Sequence, residues 1–331
     1  MLLDIIYIVG GLLLLLGGGH FLVNAGVSAA RKFKIAPFII GATVVAFGTS
    51  APELLVSVDA ALSGHPAMVL GNVVGSNIAN IALVLGATAC ILTLPVLSKK
   101  LFSDWFLVVI SSLLLVIFAY DNKITLVEGL IFLLILASYI ITAIRSPKVE
   151  GNDDEVKTYS NWGIIIFAFI ASGAALTIGA NMLVEGASNI ARAYHISERI
   201  IAITVIAFGT SLPELATSVV AALKKQTDIS IGNIIGSNLF NILAVIGISS
   251  IITPIHIEYH QFRSDLLMML LTVILLLLVI YPYRNNIKAY RAEGKLSIFM
   301  KLTSGKLTIK GGLTLLASYG IYIYFLLSQT A

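Results

Sequence analysis

Long apolar runs alternate with short polar breaks along almost the whole chain. Stretches such as 106–118 and 266–280 hold no charged residue, and with their flanks they are long enough to cross the hydrocarbon core of a bilayer. Reading the runs against their breaks predicts ten spanning helices, near 4–30, 36–63, 67–94, 102–119, 124–145, 161–193, 197–223, 228–252, 265–283 and 309–328. No extended soluble domain fits between them. The first run lacks a basic leader and a small-residue cleavage site, so it is expected to be a retained helix. The fold class expected is therefore an all-α membrane protein.

Composition agrees: 58% of the 331 residues are hydrophobic and 11% are charged, against roughly a quarter charged in soluble domains. The net charge of +4 does not imply nucleic acid, because the basic residues lie in the breaks between spans. The breaks after spans 1, 3, 5, 7 and 9 carry 17 of the 21 lysines and arginines. The positive-inside rule then puts both termini outside the cytoplasm of a cell (inner) membrane. The single cysteine, Cys90, lies in an apolar stretch and excludes a disulfide framework or a thiolate metal cluster.

The chain repeats itself at an offset of 161 residues. Residues 43–53, TVVAFGTSAPE, match 204–214, TVIAFGTSLPE, and residues 71–80, GNVVGSNIAN, match 232–241, GNIIGSNLFN. Residues 1–145 are expected to form one five-helix repeat, 146–160 an acidic cytoplasmic linker, and 161–331 a second repeat. Five is odd, so the second repeat enters the membrane upside down relative to the first. Inverted repeats are an architecture of secondary transporters, with the substrate site near the midplane between them. Here that places an ion site between kinked helices 2, 3, 7 and 8.

The repeated segments carry the chemistry. Glu53 and Glu214 lie mid-span with no basic neighbour in sequence, where a carboxylate is costly and marks a functional site. Thr49 and Ser50 share the helix face of Glu53, as Thr210 and Ser211 share that of Glu214. Pro52 and Pro213 each lack an N–H, which is expected to kink the helix and bare backbone carbonyls beside the acid. Ser76 with Asn80, and Ser237 with Asn241, are four apart and add hydroxyls and amides. Gly71, Gly75, Gly232 and Gly236 supply small faces for close helix approach.

The ligands on offer are all oxygen, with no histidine or cysteine, which suits hard cations such as Ca²⁺ and Na⁺ rather than a cofactor. A carboxylate pair of charge about −2 is balanced by one Ca²⁺ or by two Na⁺, so the ions exclude each other, as antiport requires. Protons compete for the same carboxylates.

These motifs, GTSAPE with GNVVGSNIAN and GTSLPE with GNIIGSNLFN, resemble the paired repeats of the Ca²⁺/cation antiporter superfamily, in particular its Na⁺/Ca²⁺ exchanger family and the compact prokaryotic members. The resemblance runs over all ten spans. It implies Ca²⁺ coordination by Glu53 and Glu214 with the Thr49 and Thr210 carbonyls. It implies Na⁺ sites built from Ser50, Ser211, Ser76, Ser237, Asn80, Asn241 and the Ala46 and Ala207 carbonyls. Alternating access would come from spans 1 and 6 sliding across the other eight, in a unit that works as a monomer. Some relatives have aspartate at the position of Asn241; asparagine here argues against K⁺ dependence.

Three alternatives stand beside exchange with Na⁺. A Ca²⁺/H⁺ antiporter needs the glutamates but not the added hydroxyls and amides. An intramembrane hydrolase needs unlike acid and base roles, which matching surroundings do not supply. A channel needs weaker binding than so many ligands give. Asp59, Asn24 and Glu185 are weighed as path or gate contacts. Asp104 and Asp265 are expected to favour helix N-termini.

Overall fold

The computed structural model describes residues 2–96, 99–145, 158–196, 201, 205, 207–282 and 305–329. Most of the linker, the start of the seventh segment and most of the basic stretch from Arg284 to Lys310 lie outside the described residues.

Within them the spans form helices α1 (Leu2–Phe33), α2 (Pro37–Leu62), α3 (Pro66–Ile91), α4 (Lys99–Ala119) and α5 (Leu126–Ile144), then α6 (Trp162–Ala193), α7 (Leu212–Leu223), α8 (Thr227–Ile252), α9 (Tyr259–Val279) and α10 (Ile309–Gln329). Among the described residues nine are long and apolar enough to cross a membrane, and α7 is a shorter apolar helix. α9 begins at Tyr259 rather than 265, and α7 begins at Leu212, the start expected at 197 lying outside the described residues.

Capping explains several starts. Thr125 and Glu128 form a reciprocal capping box at α5, and Asn161 caps α6 through the Gly163 N–H. Prolines open α2 and α3 in the first turn, where a missing N–H costs nothing.

Helices α1 and α6 pack antiparallel through glycine. A Cβ at Gly11 would lie 2.6 Å from the Gly179 carbonyl oxygen, and one at Gly186 would lie 2.6 Å from that of Asp4. These two helices bury their side chains in a small cluster of their own, with Leu22, Val23, Ile165 and Leu176 at its centre and parts of α2, α7 and α8 alongside. The main core is separate, drawn from α2–α5 and α8–α10 around Val73, Ile81, Phe132, Ile234 and Leu243. The Trp105 indole N–H donates to the Val273 carbonyl at 2.8 Å and ties α4 to α9.

The all-helical expectation needs one amendment. Short strands β1 (Leu94–Val96), β2 (Lys123–Ile124), β3 (Ile255–His256), β4 (Ile280–Pro282) and β5 (Gly305–Leu307) pair between helix ends, as β1-β5-β4 and β2-β3, all antiparallel. Two- and three-residue strands leave no periodic signal in a sequence.

A second correction concerns Asp104 and Asp265. Neither lies in the first turn of its helix. The Tyr139 hydroxyl donates to Asp104 Oδ2 at 3.0 Å, joining α5 to α4, and Tyr322 of α10 hydrogen-bonds Asp265 of α9. The two aspartates are repeat-equivalent, and each bonds a tyrosine on the last helix of its own half.

Candidate ion site

Backbone irregularity surrounds the repeated motifs. α2 passes through a π-helical turn at Gly41–Val45, α3 through one at Ala79–Leu85, and α8 through one at Asn241–Ile246. Such turns shift the hydrogen-bond ladder by one residue and are frequent at functional sites. Asn80 and Asn241 both stand inside one, and Ala46 follows directly on another.

The expected unwinding at the prolines occurs in one half only. The helix Ala46–Leu62 continues through Pro52. The irregularity of α2 is taken up upstream, in the π turn. In the second half a helical turn at Ala207–Gly209 is followed by a non-helical turn at Thr210 and Ser211, and Pro213 sits at the start of α7. Proline is well placed there, because first-turn N–H groups have no intrahelical partner.

Glu53 and Glu214 are 1% and 0% exposed. Thr49, Ser50, Ser76, Asn80, Ser211, Ser237 and Asn241 are likewise buried, Thr210 is half-buried, and the Ala207 backbone lies in the helical turn before it.

Contacts cross between the halves. The Ser50 hydroxyl donates to Glu214 Oε1 at 3.1 Å, and the Ser237 hydroxyl lies 3.4 Å from the same oxygen. Thr49 Oγ1 is within reach of the Ala46 carbonyl at 3.2 Å, Asn233 Oδ1 at 3.1 Å and the Ser237 hydroxyl at 3.3 Å. The Asn241 amide donates to the Ser76 hydroxyl at 3.0 Å and to Asn77 Oδ1 at 3.3 Å.

Other polar atoms at the same place are buried and unpartnered among the described residues. They are both carboxylate oxygens of Glu53, Oε2 of Glu214, the Ser211 hydroxyl, Oδ1 of Asn241, and both polar atoms of the Asn80 amide. Each would cost on the order of 1–3 kcal/mol if nothing bound to it. Most are oxygen acceptors, and together they match the ligand needs of a hard cation.

Asn72 and Asn233 were not among the expected site residues. The Asn72 amide donates to the Ser57 hydroxyl at 2.9 Å and to the Glu53 carbonyl at 3.2 Å. The Asn233 amide donates to the Ser218 hydroxyl at 3.1 Å while its oxygen takes the Thr49 hydroxyl. Both belong to the repeated motif, and Ser57 and Ser218 follow the two glutamates by four residues, so the offset could have found all four.

The gate candidates divide. Asp59 and Glu185 are exposed. Asn24 is buried, and its side-chain oxygen accepts the Lys224 ammonium, which also donates to the His20 carbonyl at 3.0 Å.

The family model described as sodium/calcium exchanger protein matches residues 3–145 and 164–328. The chain is similar to the putative antiporter CaxA of Alkalimonas amylolytica, with 39% identity over 263 residues covering 77% of this chain and 82% of that one. It is 30% identical over 291 residues to the sodium/calcium exchanger MaX1 of Methanosarcina acetivorans, covering 75% and 82%. A solved structure of the sodium-calcium exchanger NCX_Mj, soaked with Na⁺ and Ca²⁺, is similar with a TM-score of 0.78 at 28% identity over 98% of both chains. With nine membrane-length helices among the described residues, the protein is a multi-pass integral membrane protein.

Proposed function

From the premise that this chain belongs to the sodium/calcium exchanger family, we propose that it exchanges Na⁺ for Ca²⁺ by alternating access at the Glu53–Glu214 site, most simply for Ca²⁺ extrusion. One observation carries the reading: the cluster of buried, unpartnered oxygens supplied by both halves of the chain.

The carboxylates supply the charge. Glu53, with both oxygens unpartnered among the described residues, and Oε2 of Glu214 face the cargo, and the Thr49 and Thr210 carbonyls complete the Ca²⁺ ligands. The hydroxyls and amides of Ser50, Ser211, Ser76, Ser237, Asn80 and Asn241, with the Ala46 and Ala207 carbonyls, add neutral oxygens at which Na⁺ binds. One Ca²⁺ or two or more Na⁺ satisfy the pair, so loading by one ion expels the other. Ser50 and Ser237 hold one oxygen of Glu214 in place, which keeps the acid oriented as cargo leaves.

Residues 1–145 and 161–331 act as inverted halves. The antiparallel crossing of α1 and α6, repeat-equivalent helices, supports this, and their separate small core suits a pair that slides over the rest. The distribution of basic residues places both termini outside the cytoplasm. The ten-helix unit carries a complete site and works alone.

Coupling to H⁺ is the second reading. Glu53's unpartnered carboxylate oxygens are as open to a proton as to a cation.

The test is ⁴⁵Ca²⁺ uptake into Na⁺-loaded proteoliposomes diluted into Na⁺-free medium, with K⁺ and pH controls. Uptake that needs the Na⁺ gradient and disappears in Glu53→Gln and Glu214→Gln establishes the exchange. Uptake that follows an imposed pH gradient instead moves the protein to Ca²⁺/H⁺ antiport. No flux under either gradient from folded protein removes calcium as cargo.

A further inference from the structure

Along the exposed side of the α1–α6 pair runs a groove of about 440 Å³, walled by Leu13, Leu14 and Phe21 on one helix and by Ile164, Phe167 and Ala171 on the other. Leu13, Phe21, Ile164 and Phe167 are exposed along it. Gly17 also lines the groove, and a Cβ built there would meet nothing within 4 Å.

One end of this slot turns basic. Tyr159 closes it, with its backbone N–H donating to the Ser28 hydroxyl at 2.8 Å. Beside Tyr159, Arg31 makes a single long bond of 3.4 Å to the Thr158 hydroxyl, and its other terminal nitrogen is buried without a partner among the described residues. The Lys32 ammonium lies 5.2 Å from the centroid of the Trp162 ring, which packs in turn against Phe33 with centroids 4.8 Å apart. Neither cation has a carboxylate partner among the described residues.

An apolar slot on the exposed side of the two helices, with two cations that have no carboxylate partner among the described residues and an indole at its mouth, has the chemistry that holds one kind of amphiphile. Hydrocarbon fills the slot, the indole marks the depth of the headgroups, and the cations attract an anion there. We propose that this groove binds an anionic phospholipid, one acyl chain lying along Gly17 between α1 and α6 and the phosphate meeting Arg31 and Lys32. A zwitterionic lipid brings its own cation to the same place and is disfavoured. The lipid touches both helices of the antiparallel pair, so its occupancy restrains their relative movement.

The chain has two tryptophans, Trp105 and Trp162, which makes a direct test simple. In Trp105→Phe protein, Trp162 reports its lipid neighbours when chains brominated near the headgroup quench its fluorescence. Vesicles would mix phosphatidylglycerol with phosphatidylcholine, brominating one lipid and then the other. Brominated phosphatidylglycerol is expected to quench several-fold more than its bulk fraction warrants. Lys32→Gln should weaken this preference, and Arg31→Gln with Lys32→Gln should remove it. Gly17→Leu, whose Cβ has open space around it among the described residues, should occupy the groove and lower the preference while both cations remain. Equal quenching by the two lipids overturns the proposal, as does a preference that survives loss of both cations. A preference untouched by Gly17→Leu also overturns it, by assigning the effect to headgroups at the surface alone. Each variant is first required to elute as the wild type does.

Discussion

The Ser50 hydroxyl donates to Oε1 of Glu214 across the two halves, whereas the hydroxyl of Ser211, its counterpart at the 161-residue offset, has no partner among the described residues. Matching sequence thus stands in unlike surroundings. Without ions, Ser50→Ala loses a buried hydrogen bond to the Glu214 carboxyl group and should destabilise the protein by about 0.5–1.5 kcal/mol. Ser211→Ala removes an unsatisfied buried group and should be neutral or mildly stabilising. Thermal unfolding in chelator and Na⁺-free buffer checks this; equal effects would contradict it.

Asn72 and Asn233 bond Ser57, Ser218, Thr49 and the Glu53 carbonyl, beside the proposed ion ligands, which would make them positioning residues. Outer partners of metal ligands commonly change affinity by roughly 10–100-fold. Asn72→Ala and Asn233→Ala should therefore raise the Ca²⁺ concentration for half-maximal uptake by about tenfold or more. A reduced maximal rate at unchanged half-saturation would argue that they govern movement instead.

The second GxxxG segment packs directly on backbone. A Cβ at Gly236 would lie 2.5 Å from the Ala42 carbonyl oxygen, and one at Gly232 would lie 2.5 Å from that of Phe38. Overpacking typically costs about 1–3 kcal/mol. Gly236→Ala should lose at least that in thermal unfolding, because backbone cannot move aside, and an unchanged melting temperature would contradict the close approach. Position 203, the counterpart of Ala42 at the offset, lies outside the described residues.

Tyr139→Phe deletes the bond to buried Asp104. A stability loss of about 1–3 kcal/mol is expected, with half-saturation for Ca²⁺ unchanged because the bond joins α5 to α4 and neither helix carries a proposed ion ligand. Tyr322→Phe should behave alike, and a shift in ion affinity in either variant would place these pairs in the transport cycle.

Lys224, just beyond the end of α7, has its ammonium pushed down from 10.5 to about 8 by burial. Between those values the unfolded chain binds a proton that the folded one does not, so folding stability from this group rises as pH rises through that window. Comparing unfolding at the two ends of the window should show a gain for the wild type that Lys224→Met lacks. An identical response in both would place the lysine in ordinary solvent.

Much of this was legible because a bilayer demands long apolar runs and makes an intramembrane glutamate conspicuous. Glu53 and Glu214 announced themselves by cost, and the offset linked their neighbours. The π turns at Ala79–Leu85 and Asn241–Ile246 were not legible, since an added residue per turn leaves no mark where nearly every side chain is apolar. Pro52 lies inside continuous helix while its counterpart Pro213 opens one, a difference that matching local sequence does not encode. Asp104 was misread because its partner Tyr139 sits 35 residues away on another helix.

One hexapeptide, GTSAPE or GTSLPE, is continuous helix at Gly48–Glu53 and passes through a turn at Thr210–Ser211 before its second copy reaches Glu214. A string that settles in two backbone shapes within one molecule has no steep preference for either. The proposed ion site therefore hangs on a segment that accommodates both shapes, and cargo with a different affinity for each would shift the balance between them.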